Sequence, residues 1–126
     1  MNIIICLDDR NGMMFNKRRQ SRDKKVIQDM RELCVESHLW TSDYSGLLFE
    51  MKDVYVTDNF LEHAAEDDYC FIESIDPNEI EVPINKIVVY RWNRIYPADL
   101  YCTLDFSNYK LIDEKEFPGS SWDPPQ

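Results

Sequence analysis

A cluster of basic side chains precedes the first amphipathic helix that the sequence predicts. Arg18, Arg19 and Arg22 stand around Gln20 and Ser21. Arginine forks, a hydroxyl and the first N–H groups of a helix are all suitable ligands for a phosphate or a carboxylate. The segment therefore predicts a site for a small anion or a nucleotide, and the alternative interpretation is a solvated basic loop.

Carboxylates flank this basic segment. Asp8 and Asp9 follow the first apolar stretch, and Asp23 lies in the first turn of the helix, where the helix dipole favours a negative charge. Asp8 and Asp9 either pair with the arginines or complete a polar site, and we favour pairing. Ligand binding is thus assigned to six residues: Asp8, Arg18, Arg19, Ser21, Arg22 and Asp23. No catalytic residue is assigned, although Asp23 is a candidate.

Hydrophobic periodicity predicts the elements that position these residues. Residues 3–7 form an isoleucine-rich run, which is typical of a strand buried on both faces of a parallel sheet. Ser21 is a suitable N-cap for a helix that continues to His38. The helical stripe of apolar residues consists of Val26, Ile27, Met30, Leu33 and Cys34.

The rest of the chain alternates strand and helix signals. We predict strands at residues 39–41, 53–57 and 69–73, and a brief helix over residues 58–65 that Asp58 caps. Residues 42–49 are interpreted as a loop that leads into a short helix. The resulting order, β-α-β-β-α-β, indicates an α/β sheet with helical crossovers.

The fold prediction is a single α/β domain over residues 1–126 with a mixed, mostly parallel sheet. The polar, proline-bounded stretch 75–83 predicts a loop. Strand signals at 84–91 and 109–112 are interpreted as a late antiparallel addition, a C-terminal hairpin. Residues 117–126 contain several prolines and predict an irregular tail.

Four cysteines lie far apart in the chain, with no Cys-x-x-Cys pair: Cys6, Cys34, Cys70 and Cys102. We interpret them as buried thiols of a cytosolic protein. Cys34 and His38, together with His63 ahead of Cys70, raise the alternative of a structural zinc site. Because no compact four-ligand pattern is present, we expect no metal and no other cofactor.

The formal charge of −10 is unevenly distributed. Residues 1–30 hold seven basic and four acidic residues (net +3), and residues 31–126 hold seven basic and twenty acidic residues (net −13). The acidic part would repel nucleic acid and could dock against a basic, nucleic-acid-binding protein, but we favour solubility alone as the meaning of this charge. No apolar run approaches the roughly 18 residues of a membrane span, and no signal-peptide pattern opens the chain. We therefore expect no membrane partner and a cytoplasmic location.

Both ends of the chain resemble dihydrofolate reductases. The strand beginning at Ile3, the Asn11-Gly12 turn and Asp23 resemble the opening of that family, whose folate-binding carboxylate occupies the place of Asp23. Residues 84–90 (INKIVVY) and 96–101 (YPADLY) resemble its late strand and the segment before its final hairpin. The resemblance implies a dihydrofolate-reductase-like sheet, in which Asp23 would bind the pterin and assist its protonation.

The resemblance does not extend to the cofactor site. Those reductases bind a nicotinamide dinucleotide phosphate through a Gly-Arg-x-Thr-like segment and through paired glycines after a later strand, which correspond here to residues 41–45 (TSDYS) and 72–75 (IESI). Asp43 in place of an arginine puts a negative charge beside an anion. Glu73 and Ser74 in place of glycines add bulk and charge where backbone must approach a pyrophosphate. We therefore expect no reductase activity.

Residues 8–23 (DDRNGMMFNKRRQSRD) resemble instead a group of small bacterial proteins that share the pattern Asp-Asp-x-x-Gly-Met-x-Phe-Asn-x-Arg-Arg-Gln-Ser-x-Asp. Some of these carry a ribonuclease Z label. Metal-dependent ribonucleases of that class need a His-x-His-x-Asp-His ligand cluster, whereas this chain has only His38 and His63. The label is therefore given little weight.

The resulting hypothesis is a small acidic cytoplasmic binding or regulatory protein on a degenerate dihydrofolate-reductase-like fold. Two alternatives are open. One is a phage-type anti-defence inhibitor, similar in kind to anti-CRISPR proteins, whose acidic surface mimics DNA. The other is an enzyme that acts on a small nucleotide or a pterin through Asp23.

Overall fold

The computed structural model describes residues 1–16, 18–19, 24–46, 48–49, 54–92 and 94–110. Its strands are β1 (Asn2–Leu7), β2 (Gly12–Phe15), β3 (Arg18–Arg19), β4 (Leu39–Thr41), β5 (Val54–Val56), β6 (Tyr69–Phe71), β7 (Lys86–Arg91) and β8 (Leu100–Tyr101). Its helices are α1 (Lys24–Leu33), α2 (Asp43–Gly46) and α3 (Phe60–His63), and 3₁₀ turns cover Pro77–Glu79 and Phe106–Asn108.

Five strands form a parallel sheet in the order β5-β4-β6-β1-β7. β1 lies inside this sheet, where Ile4 pairs with Phe71 of β6 on one side and with Val88 of β7 on the other. Ile3, Ile4 and Ile5 are fully buried. The prediction of a mostly parallel α/β sheet with the first strand buried on both faces is therefore confirmed.

One face of the sheet is covered by α1. Val26, Met30 and Cys34 recur every four residues and pack in one cluster with Ile4 and Phe71. α1 ends at Leu33, five residues before the predicted end, because residues 34–36 form a turn that brings the chain into β4. The predicted N-cap Ser21 and the first-turn Asp23 lie outside the described residues.

The opposite face carries a small antiparallel sheet in the order β3-β2-β8. Met13 and Met14 of β2 pack in one cluster with Ile3 and Ile5. The turn predicted at residues 8–12 is present, but the prediction of a basic loop after it is wrong at Arg18 and Arg19, which form β3, and no strand was predicted at β2. β2 is only four residues long, and its partner β8 follows about 85 residues later in the chain, with Gly12 opposite Tyr101.

The predicted C-terminal antiparallel hairpin is wrong in its first arm, because β7 runs parallel to β1 from Asn2↔Lys86 to Leu7↔Arg91. The connection over residues 72–85 returns the chain to the edge at which β1 begins. Of the predicted second arm, residues 109–110 are not in a strand, and residues 111–112 lie outside the described part, as does the tail 117–126.

The short elements between β4 and β6 follow the predicted order. α2 matches the predicted short helix after residue 42, and α3 lies within the predicted 58–65. Asp58 does not cap α3, because Asn59 is the N-cap residue and Asp58 accepts a hydrogen bond from the backbone of Asp43 instead. None of the described helices is long and apolar enough to span a bilayer.

Candidate functional site

Polar side chains collect at the carboxyl edge of the parallel sheet. Parallel strands present their carboxyl ends at one edge, which is where open α/β sheets bind their ligands. Asp8 follows β1, Thr41 ends β4 and Glu73 follows β6 by two residues. All three are buried, with exposed fractions of 0%, 0% and 8%. Of the predicted ligand-binding residues, Asp8 lies at this edge.

Asp8 is held by backbone N–H groups from two parts of the chain. Its Oδ1 accepts hydrogen bonds from the amides of Arg10 at 2.8 Å and Gly12 at 2.7 Å, and its Oδ2 accepts one from the amide of Tyr96 at 3.1 Å. The first two bonds close the turn between β1 and β2, in which Asn11 has a φ of 63°. Asp8 therefore joins the end of β1 to a loop 88 residues away.

Arg18 and Arg19 form the short strand β3 of a hairpin that begins at the Asp8 turn. Arg18 lies opposite Phe15 and Arg19 lies opposite Met14. The hairpin turns at Asn16, whose φ is 52° and whose amide donates to Asp99 Oδ2 at 3.0 Å. The side chains of both arginines lie outside the described part of the structure, together with Ser21, Arg22 and Asp23.

A hydrogen bond between two buried side chains links the ends of β4 and β6. Ser45 of α2 donates from its Oγ to Glu73 Oε1 at 2.6 Å, and Thr41 donates from its Oγ1 to the carbonyl of Phe71 at 2.9 Å. α2 lies close to β5, because a Cβ on Gly46 would come within 2.8 Å of both γ-carbons of Val56. Glu73 was singled out in the sequence only as a residue that opposes a cofactor, and its bond to Ser45 depends on an approach that no local motif indicates.

Acidic residues follow three adjacent strands at this edge. Asp43 comes after β4, Asp58 after β5 and Glu73 after β6. The Oδ1 atom of Asp58 accepts a hydrogen bond from the amide of Asp43 at 3.1 Å, so a carboxylate already satisfies a donor at the start of α2. An incoming phosphate would meet these negative charges together, which makes the part of the edge formed by β4, β5 and β6 unfavourable for anions.

At the opposite, amino edge of the sheet, a buried carboxylate organises polar and aromatic groups. Asp68 Oδ2 accepts from the amide of Ala65 at 2.8 Å and from Trp40 Nε1 at 3.0 Å, and Asp68 Oδ1 lies 3.4 Å from His38 Nδ1. Burial raises the pKa of Asp68, but the hydrogen bonds from Ala65, Trp40 and His38 outweigh it, so that the pKa lies below its ordinary value.

Cys34, the other zinc candidate, is buried near the end of α1. Burial is the main cause that raises the pKa of its thiol to about 12, and the nearby negative charge of Asp68 adds to it. Such a thiol stays protonated near neutral pH and is a poor metal ligand in this state. Among the described residues, no group of three or more His, Cys, Asp or Glu side chains is placed to hold a metal ion. The expectation about zinc stays a prediction.

Comparison with protein-family models finds no family that matches this chain, and a search of curated proteins finds no similar sequence. The resemblance to dihydrofolate reductases therefore stays a prediction.

Proposed function

We propose that this protein is a small acidic binding or regulatory protein on a dihydrofolate-reductase-like sheet, without reductase activity. The carrying observation is the acidic carboxyl edge, where Asp43, Asp58 and Glu73 follow three adjacent strands. A dinucleotide phosphate would bring negative charge to these carboxylates, and Glu73 is only 8% exposed, so water screens it little. Nucleotide-dependent hydride transfer is therefore disfavoured at this edge.

The test is an oxidation assay with reduced nicotinamide dinucleotide phosphate and dihydrofolate, followed at 340 nm. We expect no turnover above the enzyme-free rate, with an authentic dihydrofolate reductase as positive control. Turnover that disappears in the Asp23→Asn variant would overturn the proposal. That result would favour instead an enzyme acting through Asp23 on a pterin or a small nucleotide.

Binding of a small anion at the basic hairpin is the part of the proposal that concerns Arg18 and Arg19. Phosphate should raise the melting temperature, because a ligand that binds only the folded state stabilises it; a 100-fold excess over Kd corresponds to about 2.7 kcal/mol. The double variant Arg18→Ala with Arg19→Ala should lose this shift and keep its stability without phosphate. A double variant that loses several kcal/mol without ligand would instead identify the arginines as structural.

A second candidate function is inhibition of a nucleic-acid-binding protein by DNA mimicry. It is favoured by a stretch of the chain that carries acidic residues but neither lysine nor arginine. Residues 54–85 contain nine acidic residues and neither lysine nor arginine. Six of the nine acidic side chains are exposed: Asp58, Glu62, Glu66, Asp67, Glu79 and Glu81. Exposed acidic side chains concentrated in one segment in this way steer a basic partner toward it.

Crosslinking in native cells followed by mass spectrometry would identify such a partner. With the partner in hand, the triple variant Glu62→Gln, Glu66→Gln, Asp67→Asn should slow association and weaken its salt dependence. The double variant Glu79→Gln with Glu81→Gln removes two charges of the same stretch away from α3 and shows which part of the stretch the partner contacts. A partner without a basic surface, or an association rate unchanged in the triple variant, would exclude mimicry around α3.

A further inference from the structure

A groove of about 840 Å³ opens at the amino edge of the sheet, where α1 ends and β4 and β5 begin. Among the described residues, its apolar wall includes Leu39 and Val54, and its polar wall includes Arg31 and His38. Tyr55 of β5 contributes an aromatic ring that is 48% exposed. The groove thus combines an apolar wall with a cation and a planar ring, at the opposite edge from the acidic residues Asp43 and Glu73.

Arg31 has a donor that nothing in the described part of the chain satisfies. Its Nε atom is buried and has no hydrogen-bond partner there. A buried N–H group without an acceptor is destabilising, and native structures rarely keep one. The guanidinium is also permanently charged and planar, so it can form bidentate hydrogen bonds with a carboxylate or a phosphate group. Because this atom has almost no surface open to solvent, an anion in the groove would bind the guanidinium group through its terminal nitrogens.

His38 also lines the groove, with one ring nitrogen facing a carboxylate. Its Nδ1 faces Asp68 at 3.4 Å, which holds the imidazole and leaves Nε2 as the ring nitrogen directed away from that carboxylate. The His38 side chain is 60% exposed. Asp68 also accepts hydrogen bonds from the amide of Ala65 and the indole of Trp40, which fix the carboxylate beside His38.

The Tyr55 ring is held in place by its neighbours. It stacks on Trp40 with ring centroids 4.8 Å apart and meets His38 edge-on at 5.0 Å. A preorganised ring binds another planar group at a small entropic cost. Exposed Glu32 also lines the groove, and its charge would weaken the binding of a phosphate monoester more than that of a singly charged carboxylate.

We propose that this groove binds a small organic anion, whose carboxylate or phosphate contacts Arg31 and His38 while its planar ring stacks on Tyr55. The proposal is independent of the one made for the carboxyl edge, because no residue is shared between the two sites. The chemistry is common to aromatic carboxylates and to nucleoside monophosphates, and the test includes both.

The experiment is a titration of the ¹⁵N-labelled full chain, with two anionic probes and their neutral counterparts, followed by NMR. The probes are benzoate against benzamide and adenosine 5′-monophosphate against adenosine. At least one anion should shift the resonances of Arg31 Nε–H, His38 and Tyr55, and its neutral counterpart should bind at least tenfold more weakly. The anion that binds more tightly shows whether the groove prefers a carboxylate or a phosphate group.

Arg31→Gln should weaken the effective anion at least tenfold and leave the melting temperature unchanged or raised, because it removes an unsatisfied donor. Arg10→Gln, a change of the same kind in the exposed turn after β1, should leave the affinity unchanged. The proposal is overturned if neither anion shifts these resonances at millimolar concentration. It is also overturned if the neutral compounds bind equally well, or if folded Arg31→Gln keeps its affinity.

Discussion

Replacing Asp8 by asparagine tests whether this carboxylate is a structural residue or a free ligand. Asp8 is completely buried and binds three backbone amides, those of Arg10, Gly12 and Tyr96. Asparagine has almost the same shape but only one acceptor oxygen. If that oxygen keeps the turn closed at Arg10 and Gly12, the new NH₂ group faces the Tyr96 amide, so that two donors meet.

The loss of stability can be worked out from the hydrogen bonds that the substitution removes. A hydrogen bond to a charged group contributes about 1.5–3 kcal/mol, and a buried donor left without an acceptor costs a further amount of similar size, partly relieved by relaxation. We expect Asp8→Asn to lower the free energy of unfolding by about 3 kcal/mol. Domains of this size are stable by about 5–15 kcal/mol, so the variant should still fold.

Urea unfolding at pH 7 measures this change, with tryptophan fluorescence, to which the buried Trp92 contributes, as probe. Asp9→Asn is the matched control, because Asp9 is the exposed neighbour and its substitution should change stability by less than about 0.5 kcal/mol. Equal stability of the two variants would refute the reasoning. Asp8 would then be available to bind a ligand or an arginine at the predicted site.

Three further predictions concern other parts of the fold. Gly46→Ala should destabilise the protein by about 1–2 kcal/mol in urea unfolding, because the new Cβ would lie 2.8 Å from the γ-carbons of Val56. This overpacking outweighs the better helix propensity of alanine. Adding Val56→Ala to the Gly46→Ala variant should remove most of the destabilisation. Because the pKa of Asp68 is lowered in the folded state, its stabilisation is present above the ordinary carboxyl pKa of about 4 and is lost as the pH falls through the lowered value. The stability difference between wild type and Asp68→Asn should therefore shrink steadily when unfolding is measured from pH 6 down to pH 2, and a constant difference would contradict the assigned pKa direction. Elemental analysis of protein purified without chelator or affinity tag should find less than about half a zinc ion per chain. One zinc ion per chain in the wild type, lost in Cys34→Ser, would show that Cys34 is a zinc ligand.

Local patterns were sufficient for the elements that carry their own signal. The branched apolar run of β1 predicts a strand buried on both faces, because such residues fit a sheet that is covered on both sides. The stripe from Val26 to Cys34 predicts the buried face of α1 for the same kind of reason. β4, β5 and β6 were also found within about two residues of their bounds.

Pairing between distant segments could not be predicted in this way. The direction of β7 depends on the route of residues 72–85, and β2 depends on a partner about 85 residues away. Neither relation leaves a periodic trace in the chain, because strand direction and register are decided by what the rest of the fold brings alongside.

The same distinction between local pattern and tertiary contact holds for the candidate sites. The sequence alone determined which side chains have useful chemistry: the arginines before α1, the carboxylates Asp8 and Glu73, and His38. Only the tertiary structure decided that Asp8 is surrounded by backbone amides, that Glu73 meets Ser45, and that His38 is held by Asp68 beside the open groove. A side chain's role depends on the donors and acceptors around it when water is excluded, and those neighbours are set by packing between residues that are distant in the sequence.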